Sequence, residues 1–198
     1  MNKNLIFNTT WGLFCPEEID GGTKLLLKAI SEDTKLLNIF EKNEVVDGTP
    51  SGKKASKGSI LDIGCGYGPI GIALAKALPE ASVDLIDKDF VAVDYSNKNA
   101  SENGAKNVQS FLSNGFSHIP SDKKYSLIVS NLPAKVSKEF FWILFAEAFD
   151  HLEKDGYFAV VVIKQLEIMM RKNFNTLFGN SEVIDRDKTY SIVITKKE

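Results

Sequence analysis

Residues 60–71 read ILDIGCGYGPIG, an apolar segment that runs directly into closely spaced glycines and then into a second apolar segment. Gly64 and Gly66 lack a Cβ atom, so the chain can turn tightly there and its backbone can approach a ligand. Pro69 suits the first position of a helix, where unpaired N–H groups can face the same ligand. The segment therefore predicts a strand, a glycine turn and a helix, an arrangement that binds nucleotide-like cofactors. The alternative is a glycine turn that serves only to pack the helix.

The composition is that of one globular domain. The 198 residues are 43% hydrophobic and 25% charged, with a formal net charge of -2. These values exclude a disordered or fibrous chain. They argue against a large basic surface but do not exclude a local basic patch. No apolar run reaches the roughly 18 residues that cross a bilayer, and no signal peptide is recognisable. The two cysteines suggest neither a disulfide nor a metal site, so we expect a reduced, cytoplasmic protein.

The chain divides into three parts. Residues 42–58 are polar, lack periodicity and contain Gly-Thr-Pro-Ser-Gly, which predicts a flexible linker. Residues 22–41 carry apolar side chains at helical spacing, so residues 1–41 are predicted to form an N-terminal helical cap. Residues 59–198 form the core. Because the linker is too short to separate independent domains, we expect a single domain.

Strands and helices alternate through the core. The predicted strands are nearly continuous runs of Val, Ile and Leu, which is typical of a parallel sheet covered by helices on both faces. The final segment, residues 181–197, instead predicts a hairpin. The predicted fold is α/β, a Rossmann-like and mostly parallel sheet of seven strands with a C-terminal antiparallel hairpin strand. The other predicted strands are 59–64, 82–87, 107–112, 125–131 and 157–164, and the helices are 69–78, 90–103, 138–152 and 165–178.

Two acidic residues at strand ends select the cofactor. Asp87 ends the second strand about 20 residues after Gly66, the spacing of a carboxylate that accepts both hydroxyls of a ribose. Capping the next helix is the alternative role, for which Asp89 is better placed. Asp62 precedes the glycines, where a carboxylate would repel a diphosphate but suits a cationic ligand tail. The pair favours S-adenosylmethionine over a nicotinamide dinucleotide, although Asp62 could serve only to hold the loop.

With these motifs, the chain resembles the class I S-adenosylmethionine-dependent methyltransferases. Within them it is similar to the methyltransferase small domain group, which includes the small-subunit ribosomal RNA guanine-N2 methyltransferases. The resemblance covers nearly all of the chain outside the linker. It implies S-adenosylmethionine as cofactor, S-adenosylhomocysteine as product, and ribosomal RNA or the small ribosomal subunit as partner. It rests on residues 60–79, LIDKD (85–89), SLIVSN (126–131) with Pro133, and the flanking segments 12–27 and 178–197.

Asn131 ends the fourth predicted strand, where the family carries Asn-Pro-Pro-aromatic at its active site. An exocyclic base amine is a poor nucleophile because its lone pair is delocalised into the ring. The side-chain oxygen of Asn131 and the carbonyl of Leu132 can accept its two hydrogens and stabilise the developing positive charge. Pro133 would brace that carbonyl through its fixed φ, and positioning can supply much of the rate. Alternatively, Asn131 only ends the strand.

The active-site motif departs from the family pattern at two positions. Leu132 replaces the first proline. Ala134 replaces the aromatic residue that would stack on the target base, a contact worth about 1–3 kcal/mol. The resemblance thus implies methyl transfer more firmly than base methylation. Candidates for the missing aromatic face are Trp11, Phe14, Phe140, Phe141 and Trp142, although helical packing favours a core position for the last three.

A further departure lies after the third strand. The family usually has an acid there that contacts the adenine amine, and this chain has Asn114. Its amide oxygen can accept the same hydrogen bond, although Asn114-Gly115 could also be a plain turn. The predicted catalytic residues are Asn131, Leu132 and Pro133, with no metal. The predicted cofactor-binding residues are Asp62, Gly64, Cys65, Gly66, Asp87, Lys88, Asn114, Gly115 and Asn131.

We therefore expect a methyltransferase acting on an exocyclic amine of ribosomal RNA, guanine N2, with the amine of an adenine as the less favoured acceptor. Lys135 and Lys138, beside the predicted site, are candidates for contacting phosphates. Leu132 and Ala134 favour an alternative, methyl transfer to a small-molecule or protein amine. Two further alternatives are a catalytically degenerate cofactor-binding module and, more distantly, a nicotinamide-dependent oxidoreductase. The sequence does not indicate an oligomeric state.

Overall fold

The central sheet contains seven strands in a computed structural model that describes residues 4–41 and 58–198. They are β1 (Ser59–Ile63), β2 (Ser82–Asp87), β3 (Val108–Leu112), β4 (Tyr125–Asn131), β5 (Leu152–Ile163), β6 (Glu182–Arg186) and β7 (Tyr190–Lys196). Their order across the sheet is β3-β2-β1-β4-β5-β7-β6. β7 runs antiparallel to both of its neighbours, and the other pairings are parallel. The predicted α/β fold with a C-terminal antiparallel hairpin strand is confirmed.

Helices cover both faces of the sheet. In the described ranges they are α1 (Gly21–Glu32), α2 (Thr34–Glu41), α3 (Pro69–Ala77), α4 (Phe90–Glu102), α5 (Lys138–His151) and α6 (Glu167–Phe178). The first four contribute to one core cluster, and α5 and α6 contribute to a second cluster on the opposite face. Side chains along a strand alternate between the faces. Leu127 and Val129 accordingly belong to the first cluster and Ile128 to the second.

The predicted N-terminal helical cap corresponds to α1 and α2. α1 packs against β5 and β7, so these helices are part of the layer that covers the sheet. The predicted linker, residues 42–58, lies outside the described residues except for Gly58, and the division into cap, linker and core stays a prediction. None of the helices in the described part of the chain is long and apolar enough to span a membrane.

β5 begins earlier than its sequence pattern predicts. The apolar run starts at Tyr157, but the strand starts at Leu152, directly after α5. Its pairing with β4 is irregular between Tyr125 and Leu127, and Asp155 has a φ of 64°. A bulge interrupts the alternation that marks a strand in a sequence. Because the residues before Tyr157 are polar, the sequence pattern did not predict the first part of β5.

Phe174 on α6 is expected to be a major contributor to stability. It is fully buried, and its ring centroid lies 4.8 Å from that of Phe145 and 5.4 Å from that of Phe158. We expect Phe174→Ala to lower the free energy of unfolding by about 3–5 kcal/mol, through lost burial and the cavity left behind. Denaturant unfolding followed by circular dichroism measures this change.

The matched control is Ile168→Ala, because Ile168 lies on the same helix with 81% of its surface exposed. Its free energy of unfolding should change by no more than about 0.5 kcal/mol. Similar losses in both variants would show that burial in the second cluster does not determine the stability of α6.

Candidate functional site

The candidate site lies where the carboxyl ends of β1 and β4 meet. The chain runs from β1 to β2 and β3 on one side of β1 and then crosses to β4 on the other side, so the strand order reverses here. Open α/β sheets bind ligands at such a switch point. The register pairs Asp62 with Val129. The Ser130 hydroxyl donates a hydrogen bond to the Ile63 carbonyl at 2.8 Å. These contacts hold the glycine turn that follows β1 beside Asn131 at the end of β4.

The glycine turn leaves space for a ligand. Gly64, Gly66 and Gly68 have φ values of 69°, 56° and 92°, in the left-handed region that favours glycine. The N–H groups of Gly64 and Cys65 donate to the Ile86 carbonyl at 2.8 and 3.0 Å. A Cβ atom added at Gly64 or Gly66 would meet nothing within 4 Å. The Cys65 thiol is buried, which raises its pKa, so the thiol is not presented to a ligand.

Asp62 carries a buried carboxylate oxygen that needs a partner. The residue is 0% exposed, its Oδ2 accepts a hydrogen bond from Gly71 N at 2.8 Å, and its Oδ1 has no partner among the described residues. Burial raises the pKa of Asp62, the Gly71 hydrogen bond lowers it and the charge of Asp87 raises it, and the result is a pKa of about 7. An unpaired buried carboxylate oxygen is costly unless a ligand supplies a donor. The protonated amino group of a methionine-type tail fits this position.

Asp87 lies at the end of β2 and binds the glycine turn. Its Oδ2 accepts from Gly66 N at 3.0 Å and its Oδ1 from Asp89 N at 3.0 Å. Each carboxylate oxygen can accept a further hydrogen bond, so both could bind a ribose diol. Asp89 is the N-cap of α4, where it accepts from Val91 N at 2.9 Å, as the sequence indicates. Lys88 is exposed between the two acids.

The turn after β3 reaches the same edge of the sheet. Ser113 N donates to the Asp87 carbonyl at 2.8 Å, and Ser113 Oγ donates to the Gly115 carbonyl at 2.6 Å. The backbone N–H of Asn114 donates to Ser117 Oγ at 3.2 Å, so this segment is a hydrogen-bonded turn. The Asn114 side chain is exposed, and within the described ranges it makes no hydrogen bond. The turn therefore leaves that amide available to a ligand.

The nitrogen side of the Asn131 amide is held by the start of α1. Asn131 Nδ2 donates to Asp20 Oδ2 at 2.9 Å and to Thr23 Oγ1 at 3.1 Å. Because a carboxylate only accepts hydrogen bonds, the amide nitrogen must face Asp20, and the amide oxygen faces away. That oxygen receives no hydrogen bond from the residues that the structure describes. It is free to accept one from an amine.

The Leu132 carbonyl is held by a hydrogen bond of the Leu132 backbone, where the family pattern has the fixed φ of a proline. The Leu132 N–H donates to the Val161 carbonyl at 3.1 Å, and the Leu132 side chain is buried in the second core cluster. Proline, the residue of the family pattern, has no N–H and could not make this bond. Pro133 follows and is exposed. No donor from the described part of the chain reaches the Leu132 carbonyl, which lies next to Asn131 in the chain.

The candidates for a stacking face differ in exposure. Ala134 is exposed and has no ring, whereas Phe141 is buried in the core and cannot contact a base. Among the described residues, no group of three or more His, Cys, Asp or Glu side chains could hold a metal ion. Four predicted aromatic candidates stay exposed, namely Trp11, Phe14, Phe140 and Trp142.

Sequence reasoning missed Asp20, Thr23 and Tyr190 as neighbours of the site. Asp20 accepts hydrogen bonds from Asn131, from Thr23 N at 3.0 Å and from the Tyr190 hydroxyl at 2.9 Å. Asp-Gly-Gly-Thr before an apolar helical segment is a recognisable helix start. Nothing in that local pattern shows that the helix begins against the end of β4.

The comparison with protein families agrees with this geometry. The family model of the methyltransferase small domain matches residues 4–194. The chain belongs to this family. It is 32% identical over 197 residues to the uncharacterized protein YbxB of Bacillus subtilis, covering 99% of this chain and 88% of that one. The present chain is therefore an S-adenosylmethionine-dependent methyltransferase. Its open glycine turn and the unpaired Asp62 oxygen fit that cofactor.

Characterised relatives are longer. Ribosomal RNA small subunit methyltransferase C of Haemophilus influenzae is 30% identical over 179 residues, which cover 87% of this chain and 47% of the relative. Ribosomal RNA large subunit methyltransferase G of Psychromonas ingrahamii is 26% identical over 171 residues, which cover 79% of this chain and 43% of the relative. The chain spans about half the length of these relatives.

Solved structures share the fold. The Thermus thermophilus 16S rRNA N2 G1207 methyltransferase RsmC, in complex with AdoMet and guanosine, superposes with a TM-score of 0.72 at 21% identity, over 94% of this chain and 46% of that one. The precorrin-6y C5,15-methyltransferase of Geobacter metallireducens superposes with a TM-score of 0.67 at 11% identity, over 97% of this chain and 94% of that one. The same fold therefore serves different methyl acceptors.

Proposed function

We propose that this methyltransferase transfers a methyl group from S-adenosylmethionine to an exocyclic amine, guanine N2, of ribosomal RNA. The observation that carries the proposal is the pair of acceptors at the end of β4. The Asn131 side-chain oxygen and the Leu132 carbonyl belong to adjacent residues, and no donor in the described ranges reaches either. Two such oxygens match an amino group that carries two hydrogens.

The cofactor supplies an electrophilic methyl group on a positively charged sulfur when it is bound. We propose that Asp62 binds its amino group, Asp87 its ribose hydroxyls and Asn114 its adenine amine. Gly64 and Gly66 would let the backbone approach it. The full set of proposed cofactor-binding residues is Asp62, Gly64, Cys65, Gly66, Asp87, Lys88, Asn114, Gly115 and Asn131.

Asn131 and Leu132 would orient the acceptor. Their two oxygens accept the amine hydrogens, which turns the nitrogen lone pair out of conjugation and towards the methyl carbon. Bound S-adenosylmethionine would supply the methyl group, with its C–S bond breaking as the new N–C bond forms, and S-adenosylhomocysteine would be the leaving group. The same oxygens stabilise the positive charge that develops on nitrogen, and one proton is then lost to water. Pro133 restricts the backbone beside the Leu132 carbonyl.

Ribosomal RNA is proposed from the relatives and from the surroundings of the site. The small and large subunit methyltransferases that this chain resembles are named for that substrate. Lys135 and Lys138 are exposed on the segment that follows Asn131, where they can contact phosphates. Such a substrate would place the reaction in the cytoplasm. The second candidate is a small-molecule amine, which the exposed Ala134 favours because it offers no ring to a base.

Transfer of labelled methyl tests the proposal. Small ribosomal subunits and naked ribosomal RNA, prepared from cells that lack this protein, are incubated with labelled S-adenosylmethionine, and a panel of small amines is assayed in parallel. S-adenosylhomocysteine binding is measured by calorimetry on the same preparation. We expect label in one of the RNA forms. Binding without label in either RNA form would overturn the RNA assignment, and label in an amine would establish the second candidate.

A further inference from the structure

Asp20 has partners from three separate parts of the fold. It is 7% exposed and accepts hydrogen bonds from Asn131 on β4, from Tyr190 on β7 and from Thr23 N in α1. The Cys15 thiol lies 4.0 Å from its Oδ1. The carboxylate is thus almost surrounded by donors, and one of them is the amide that would orient the acceptor.

Capping α1 does not account for this arrangement. Asp33 provides a comparison, because it caps the start of α2 through Lys35 N at 2.8 Å and Leu36 N at 3.2 Å, both within three residues. Asp20 instead bonds residues 111 and 170 positions away. Burying a carboxylate is costly, and a neutral serine or threonine would cap the helix without that cost. The buried charge points to a role outside the helix.

The start of α1 packs closely against Asp20 and its neighbours. A Cβ atom added at Gly22 would lie 2.9 Å from Asp20 Oδ2 and 3.0 Å from the side chains of Tyr190 and Val161. Asp20 Oδ1 accepts from the Tyr190 hydroxyl, and Oδ2 accepts from both Thr23 N and the Asn131 amide nitrogen, which must therefore face Asp20. The amide is therefore held in one orientation.

We propose that Asp20 is a positioning residue for methyl transfer, which fixes the Asn131 amide with its oxygen towards the acceptor amine. The inference rests on the proposed role of Asn131. A carboxylate bonded to the N–H of an amide also shifts electron density towards the amide oxygen, since hydrogen bonds in series polarise one another. Asp20 thereby makes that oxygen a stronger acceptor for an amine that gains positive charge.

Asp20→Asn removes the charge and keeps the shape and a good capping residue. We expect kcat to fall about tenfold, the difference between a charge-assisted and a neutral hydrogen bond, with KM and S-adenosylhomocysteine affinity nearly unchanged. Asp33→Asn makes the same chemical change at the start of α2 and should leave kcat unchanged. A loss of cofactor affinity in Asp20→Asn with kcat unaffected would overturn the proposal.

A double-mutant cycle shows whether Asp20 acts through Asn131. Single-turnover transfer is measured in Asp20→Asn, Asn131→Ala and the double variant. We expect Asp20→Asn to have no further effect once Asn131 is alanine. The same loss in both backgrounds would mean that Asp20 acts elsewhere and would overturn the inference.

The side-chain amide of Asn131 provides a readout that needs no activity. Its ¹⁵N–¹H signals are assigned by their loss in Asn131→Ala, and hydrogen exchange is compared in the wild-type protein, Asp20→Asn and Asp33→Asn. We expect faster exchange and a shifted signal in Asp20→Asn alone. An unchanged signal would overturn the inference whatever the RNA assay shows, whereas a shifted signal in a protein that labels no RNA would contradict only the proposed function.

Discussion

Replacing Asn131 with alanine is expected to lower kcat for methyl transfer by about 10²- to 10³-fold, the loss that follows removal of one preorganised polar group from a transition state. The alanine variant lacks the oxygen that would accept a hydrogen of the amine. The Leu132 carbonyl stays in place because its backbone is tied to Val161. Single-turnover transfer of labelled methyl measures the chemical step separately from product release.

The control for this variant is Asn175→Ala, because Asn175 is an exposed asparagine on α6. Its kcat should equal that of the wild-type protein. S-adenosylhomocysteine affinity should fall less than kcat in Asn131→Ala. Retention of kcat, or a loss of affinity as large as the loss of kcat, would show that Asn131 does not orient the acceptor.

Asp62→Asn is expected to weaken S-adenosylhomocysteine binding by about 10- to 100-fold at pH 7.5, the range for a buried charge-assisted hydrogen bond. The variant keeps the shape of the side chain but cannot carry the negative charge that a ligand amino group requires. Because the pKa of Asp62 is about 7, most of the wild-type carboxylate is ionised at pH 7.5 and little of it at pH 6. Wild-type affinity should therefore fall severalfold between these pH values, and that of the variant should not.

The same substitution should stabilise the ligand-free protein. The pKa of Asp62 is about 7 in the folded chain against an ordinary value of 3.8, so its protonated form favours folding. This contribution is fully present below pH 3.8 and is lost as the pH rises through about 7. Asp62→Asn cannot ionise, so its melting temperature should exceed that of the wild-type protein by more at pH 8 than at pH 6.

Asp150→Asn is the control for both measurements, because Asp150 is exposed at the end of α5. It should show the wild-type pH dependence of binding and of melting temperature. If Asp62→Asn binds S-adenosylhomocysteine as tightly as the wild-type protein and with the same pH dependence, Asp62 only holds the glycine turn, the alternative that the sequence leaves open.

The sequence predicts those features that arise from local geometry. β2 and β4 match their predicted boundaries because their apolar segments end at polar residues, Asp87 and Asn131. The turn at Gly64 is predicted because its backbone angles favour glycine. Asp89 is predicted to cap α4 because capping depends on residues two or three positions away.

Features that depend on distant contacts are not predictable in this way. Asp20 is recognisable as a helix cap, but its bonds to Asn131 and Tyr190 arise only when α1 packs against the sheet. The N–H of Leu132 matters because β5 lies beside β4 and presents the Val161 carbonyl. A single sequence contains no local signal for either contact, so the hydrogen bonds that hold the two acceptor oxygens were found only in the structure.

The most direct test of the proposed chemistry is to identify the atom that receives the methyl group. RNA labelled by the wild-type protein is digested to nucleosides, which are separated and identified by mass spectrometry against synthetic standards. Two adjacent acceptor oxygens select an amino group with two hydrogens, and guanine N2, the amine of the proposed function, predicts N2-methylguanosine. A methyl group on a ribose oxygen, a ring nitrogen or a ring carbon would contradict the account, because none of these acceptors offers two hydrogens to Asn131 and Leu132.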